Sequence, residues 1–148
     1  MSDVLIGLDG TARCAWAGAD AEYQRYHDEE WGTALHGDRS LFEKMSLEGF
    51  QAGLSWITIL RKRPRFREVF DGFDPAAVAA FGPDDVERLM QDAGIVRNRA
   101  KIEAVIGNAG IVAEMAEGEL DMLMWSFTPA AHTPPRVFAD VPAVTPES

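Results

Sequence analysis

Glu48 lies inside an apolar helical stretch, beside Leu47 and one turn from Met45, and its type and place raise the question of chemistry first. Burying a carboxylate is unfavourable unless it is paired or given donors. Such a group either faces solvent on an amphipathic helix or serves as an acceptor for a ligand with N–H groups or positive charge. The segment Glu48-Gly49-Phe50-Gln51-Ala52-Gly53-Leu54-Ser55-Trp56 joins that carboxylate to an indole through two glycines. Glycine at those points lets another backbone, or a nucleotide, come close.

A second group lies earlier. Cys14 and His27 are separated by twelve residues and make half of a tetrahedral zinc site, which takes four nitrogen or sulfur ligands. His36 and His132 are the only other histidines, and neither stands at a recognisable ligand spacing. On spacing alone, a buried thiol beside a satisfied histidine is the better account of the pair. Aromatic residues gather nearby at Trp16, Tyr23, Tyr26 and Trp31, with Trp56 further on. They read as core packing or as a surface on which a base stacks. Tyr23 and Tyr26, three apart, share one helix face.

The elements that must carry these residues are helical. Apolar residues recur at spacings of three and four, and no segment shows sustained strand alternation. The first eleven residues read as a loose leader, ahead of a single domain over 12–148. A short helix is predicted over 21–30. Asp38 is predicted to cap a second helix carrying Leu41, Phe42, Met45, Leu47 and Phe50. Gly53 ends or bends it, and Ser55 caps a third helix that stops near Pro64. Asp74-Pro75 and Pro83-Asp84 resemble helix starts with proline in the first turn, and Gly94 stands where a C-terminal cap belongs. A long helix over 98–116 should bury Ile102, Val105, Ile106, Ile111, Val112 and Met115, and a short one covers 120–127. Proline-rich sequence from Thr128 is a connector. Thr145-Pro146 has the form of a new helix start, so the chain is read as truncated.

Bulk properties narrow the class. Lys plus Arg is 14 and Asp plus Glu is 24, a net charge of −10. Bulk electrostatics therefore do not favour nucleic acid, whose phosphates call for Lys and Arg. The one basic run, Arg61-Lys62-Arg63-Pro64-Arg65-Phe66-Arg67, reads as a solvated helix end or as a local phosphate patch. No apolar run reaches the roughly 18–20 residues of a membrane span, and the N-terminus lacks the basic start and apolar core of a signal peptide. With Cys14 as the single cysteine no internal disulfide forms, and a cytoplasmic protein is expected.

Several runs then point to one family. Cys14-Ala15-Trp16, Tyr26-His27-Asp28-Glu29-Glu30-Trp31-Gly32, Leu41-Phe42-Glu43 and Leu47 through Ile57 come first. They continue with Phe73-Asp74-Pro75, Asp92 through Ile102, Gly107-Asn108-Ala109 and Trp125-Ser126-Phe127. Together, in this order, they resemble the DNA-3-methyladenine glycosylase I family.

The resemblance implies an all-α fold, a helical bundle of the helix-hairpin-helix glycosylase type, and hydrolysis of the bond between deoxyribose and N3-methylated adenine. It implies that Glu48 accepts hydrogen bonds from the flipped base, that Tyr26 and Trp56 stack on it, and that Trp16 and Tyr23 complete the pocket. Gly53 and Leu54 fall where the family wedges the duplex gap. Cys14 and His27 match two of four ligands to a structural zinc. The partners implied are double-stranded alkylated DNA and the freed 3-methyladenine, with no membrane and a monomeric state. Family members continue some forty residues further, through a phosphate-gripping hairpin and the last two zinc ligands. This chain alone is therefore expected to be poorly active or inactive. A non-catalytic helical module that binds modified bases, and a structural protein whose aromatics are core, are the other readings.

Overall fold

Capping residues set the helix starts in the computed structural model, which describes residues 3–147. Seven α-helices run among them: α1 (Ala21–Glu29), α2 (Asp38–Gln51), α3 (Trp56–Val69), α4 (Pro75–Ala79), α5 (Pro83–Met90), α6 (Arg99–Glu114) and α7 (Glu119–Trp125). Asp20, Asp74 and Asn98 each accept first-turn backbone N–H groups, satisfying donors that a helix leaves open. The all-helical expectation holds, apart from one short antiparallel pair, β1 (Val4–Ile6) with β2 (Ala12–Cys14), in which Val4 faces Cys14. Strand β1 occupies sequence that reads as a loose leader; its backbone is ordered by pairing with β2.

Backbone contacts gather the described residues into two compact units. One holds residues 3–34 and 125–147; the other is Leu35–Met124. Much of the core of the second comes from α2, α3 and the short turn after α3. Phe42, Phe50, Ile59, Phe66, Phe70 and Phe73 are all fully buried there. Phe50 and Phe66 meet with ring centroids 4.6 Å apart, and Phe70 stacks on Phe73 at 5.5 Å. Helix α6 turns Ile102, Val105, Ala109 and Val112 inward at intervals of three and four.

Several boundaries differ from expectation, each for a local reason. Asp38 is the first residue of α2 and not its cap, a place held by Gly37. The Asp38 carboxylate instead accepts the backbone N–H groups of Gly118 (2.7 Å) and Asp121 (2.9 Å), which tie α7 to the start of α2. Helix α3 does not stop at Pro64 but continues to Val69. Phe66, Val69 and the adjoining Phe70 are buried, and that burial offsets the hydrogen bond that proline removes. Ile111 is 61% exposed, because the inward stripe of α6 passes through Ala109 and Val112. Gly94 does not cap α5; that helix ends at Met90, and the Gly94 N–H donates to the Asp92 carboxylate. Thr145 and Pro146 lead into a turn and not a helix among the described residues.

The basic run lies within α3. Arg65 pairs with Asp92 and Glu68, Arg67 pairs with Glu43, and Lys62 donates to the Ala93 carbonyl. These cations are committed to acids and carbonyls of the same unit, so the run is a set of internal clamps more than a phosphate patch.

Candidate functional site

Glu48 occupies the last turn of α2, and Lys44 lies one turn before it. A spacing of four brings both side chains to the same helix face. Lys44 Nζ is 3.0 Å from Glu48 Oε1 and 3.9 Å from the ring centroid of Trp56. The Glu48 side chain is 49% exposed and that of Lys44 36%, whereas Trp56 is 9% exposed. Glu48 is thus half solvated, as on the solvent side of an amphipathic helix, yet its counter-ion lies on the indole. The arrangement demonstrates one chemical capacity: a single positive group can touch the carboxylate and the aromatic face together. Ammonium on indole and ammonium beside carboxylate are both favourable and individually weak at exposed sites.

The turn between α2 and α3 sets Trp56 in place. Gly53 sits at φ +82°, a left-handed conformation that suits glycine, and Leu54 is 43% exposed at the tip. The expected wedge residues therefore occupy an exposed turn. Lys101, from the first turn of α6, donates to the carbonyls of Phe50 (3.0 Å) and Ala52 (2.5 Å). Those carbonyls belong to the end of α2, which has no further helical donors to offer them. The Ser55 hydroxyl does not cap α3; it pairs with the Thr58 hydroxyl at 2.8 Å.

Sequence reasoning assigned no role to Lys44 or Lys101. The signal for Lys44 was its spacing from Glu48. For Lys101 it was a cation at a helix N-terminus, where the dipole is unfavourable and a partner elsewhere is required.

The unit containing residues 3–34 assembles the other aromatic residues around Trp16. Its ring lies 4.9 Å from Tyr23, 6.3 Å from Tyr26, 5.2 Å from His27 and 5.3 Å from Trp31. Tyr26 is buried, and Trp31 stacks on His27 while remaining half exposed. Burial, with a smaller contribution from Tyr26, pushes the Tyr23 hydroxyl above its ordinary pKa and keeps it protonated.

Cys14 and His27 adjoin there as well. The Cys14 backbone N–H donates to His27 Nε2 at 3.2 Å, which places the ring proton on Nδ1, 2.9 Å from the Asp28 carboxylate. Asp28 is held in turn by Arg13, which also grips Asp9. The Arg13 guanidinium, helped by His27, keeps the Asp28 carboxyl below the usual carboxylate range. A carboxylate behind a histidine is the pattern that orients metal-binding imidazoles. The donor set, however, stops at a thiol and an imidazole. No group of three or more His, Cys, Asp or Glu able to hold a metal occurs among the described residues. His36 instead pairs with Asp121 at 3.1 Å. The residues present do not complete a tetrahedral zinc site.

Several known proteins are similar to this chain. A family model described as methyladenine glycosylase matches residues 16–148. The DNA-3-methyladenine glycosylase 1 of Escherichia coli (strain K12) is 50% identical over 117 residues, covering 78% of this chain and 63% of that protein. The chain thus spans under two thirds of that relative's length. A crystal structure of a 3-methyladenine DNA glycosylase I matches with a TM-score of 0.84 at 45% identity, over 91% of this chain and 76% of that one. A 3-methyladenine DNA glycosylase I from Staphylococcus aureus, solved to explain its recognition of 3-methyladenine, matches with a TM-score of 0.72 at 38% identity, over 78% and 62%.

Proposed function

The chain belongs to the methyladenine glycosylase family, and from that premise we propose that it acts in base-excision repair, hydrolysing the N-glycosidic bond of 3-methyladenine in alkylated double-stranded DNA. The observation that carries the reading is Lys44, whose ammonium touches both the Glu48 carboxylate and the Trp56 ring. A purine methylated at N3 is positively charged while bonded to its sugar, and a cation of that kind is what this pair accommodates. The base must leave the duplex stack to reach it, and a damaged base does so at lower cost. Glu48 then accepts N–H hydrogen bonds from the base and Trp56 stacks on it. Tyr26, Trp16 and Tyr23 are assigned base contacts of their own, and Gly53 and Leu54 the gap in the duplex.

In the reaction the C1′–N9 bond breaks and its electron pair passes to the purine, cancelling the positive charge. Water bonds to C1′ and releases a proton. The departing base needs little acid assistance, and no lysine bonds to the sugar. Binding and orienting the base is the work of Glu48 and Trp56.

Cys14 and His27 are proposed as two ligands of a structural zinc, in a protein of the helix-hairpin-helix type that works as a cytoplasmic monomer. Among the described residues no helix is long and apolar enough to cross a membrane. The test of activity is to incubate the protein with methylated duplex DNA and separate the freed bases. Release of 3-methyladenine, leaving abasic DNA that borohydride does not trap on the protein, supports the proposal. A borohydride-trapped adduct, or release of undamaged adenine at the same rate, contradicts it.

A further inference from the structure

We propose that Lys44 is an internal competitor for the base site, a resident cation that an incoming alkylated purine must displace from Glu48 and Trp56. This inference rests on the base-binding role proposed for those two residues. Lys44 Nζ already makes both contacts a cationic purine would make, 3.0 Å from the carboxylate and 3.9 Å from the ring centroid. An ammonium directly over the indole and a stacked purine cannot share one face of the ring. Trp56 is nearly buried while the lysine side chain is 36% exposed, so the lysine lies on the solvent side of the indole and can swing into water. The ion pair spans four residues on a helix between half-exposed side chains, and the cation–π contact is made by a lysine that is itself partly in water, so both are of a strength that can exchange. The unliganded site therefore holds a paired carboxylate, and the displaced lysine returns when the base departs. Lys44 lowers affinity for the base in either protonation state and favours its release.

Removing the competitor should tighten binding, the reverse of what loss of a structural contact does. The probe is free 3-methyladenine, titrated into the protein with tryptophan fluorescence as readout. Lys44→Met and Lys44→Gln are each expected to bind about four- to tenfold more tightly than the wild type. Lys44→Arg, which keeps the charge and the ring contact, is expected to bind no more tightly. Thermal unfolding of each variant identifies any that fails to fold, and the two neutral substitutions serve as checks on each other. Unchanged or weaker binding by the folded neutral variants overturns the proposal, as does equal tightening by Lys44→Arg. Should the wild type itself show no binding, the base-site reading beneath falls, and this proposal with it.

Discussion

The Lys101 ammonium lies 3.0 Å from the carbonyl oxygen of Phe50, reaching from the first turn of α6 to the end of α2. It also donates to Ala52, so one cation satisfies two carbonyls at the negative end of a helix dipole. Those bonds hold the turn that presents Leu54 and Trp56. Lys101→Met should lower stability by about 1–2 kcal/mol, the scale of charge-assisted hydrogen bonds that are partly solvated. It should also weaken 3-methyladenine binding by loosening the turn. Urea unfolding and the fluorescence titration check the two effects. An unfolding midpoint equal to that of the wild type would remove Lys101 from this role.

Asp38 gives a second stability prediction. Its carboxylate receives the Gly118 and Asp121 backbone N–H groups, both at the start of α7. Asp38→Ala leaves those donors without it and should destabilise the unit by about 1–2 kcal/mol. Hydrogen exchange should quicken first in α7. If exchange speeds up only at the N-terminus of α2, Asp38 is acting as a cap and the account of the α2–α7 tie is wrong.

Asp92 supplies a pH dependence. Its carboxylate is bonded to the Arg65 guanidinium and the Gly94 N–H, and Arg65 is the larger reason that its pKa lies below the usual value of 3.8. A folded-state pKa below the unfolded one means stability that is complete above the unfolded value and lost as pH falls through the folded one. Asp92→Asn should therefore melt below the wild type at neutral pH. The gap between them should narrow from about pH 4 downward as the wild-type carboxylate is protonated. A gap that stays constant across that acid range contradicts the assignment.

The zinc proposal can be tested on Cys14 and His27. The His27 Nε2 lone pair accepts the Cys14 N–H, so a metal bound at that nitrogen has to break a hydrogen bond. Two donors should hold zinc weakly. Competition against a chromophoric chelator should show low affinity, and Cys14→Ser should abolish what remains. Zinc binding that survives loss of both Cys14 and His27 would place the metal elsewhere.

The residues of the candidate site stand out in the sequence by type. Glu48 on an apolar helix, tryptophans near glycines, and a cysteine spaced from a histidine all stand out, and the structure brings Cys14 to His27 and Trp16 to Tyr23 and Tyr26. Helix starts marked by Asp74, Pro83 and Asn98 were equally readable, since each acts on its own next few residues. Features that depend on distant partners were not. Asp38 reads as a cap, but its acceptor capacity is taken by residues some eighty positions away. Pro64 reads as a stop, and only the burial of Phe66 and Val69 explains why α3 continues. Lys44 carries no distinguishing mark in the sequence beyond its spacing from Glu48, and only the fold sets Trp56 beneath it.

Glu48 and Trp56 are proposed to receive an electron-poor purine together. Titration of 3-methyladenine into the wild type and Glu48→Gln, with tryptophan fluorescence as readout, tests it most directly. Saturable quenching is expected in the wild type, and binding weakened by about tenfold or more in Glu48→Gln, the scale of a lost charge-assisted hydrogen bond. Equal affinity in the two proteins would contradict it.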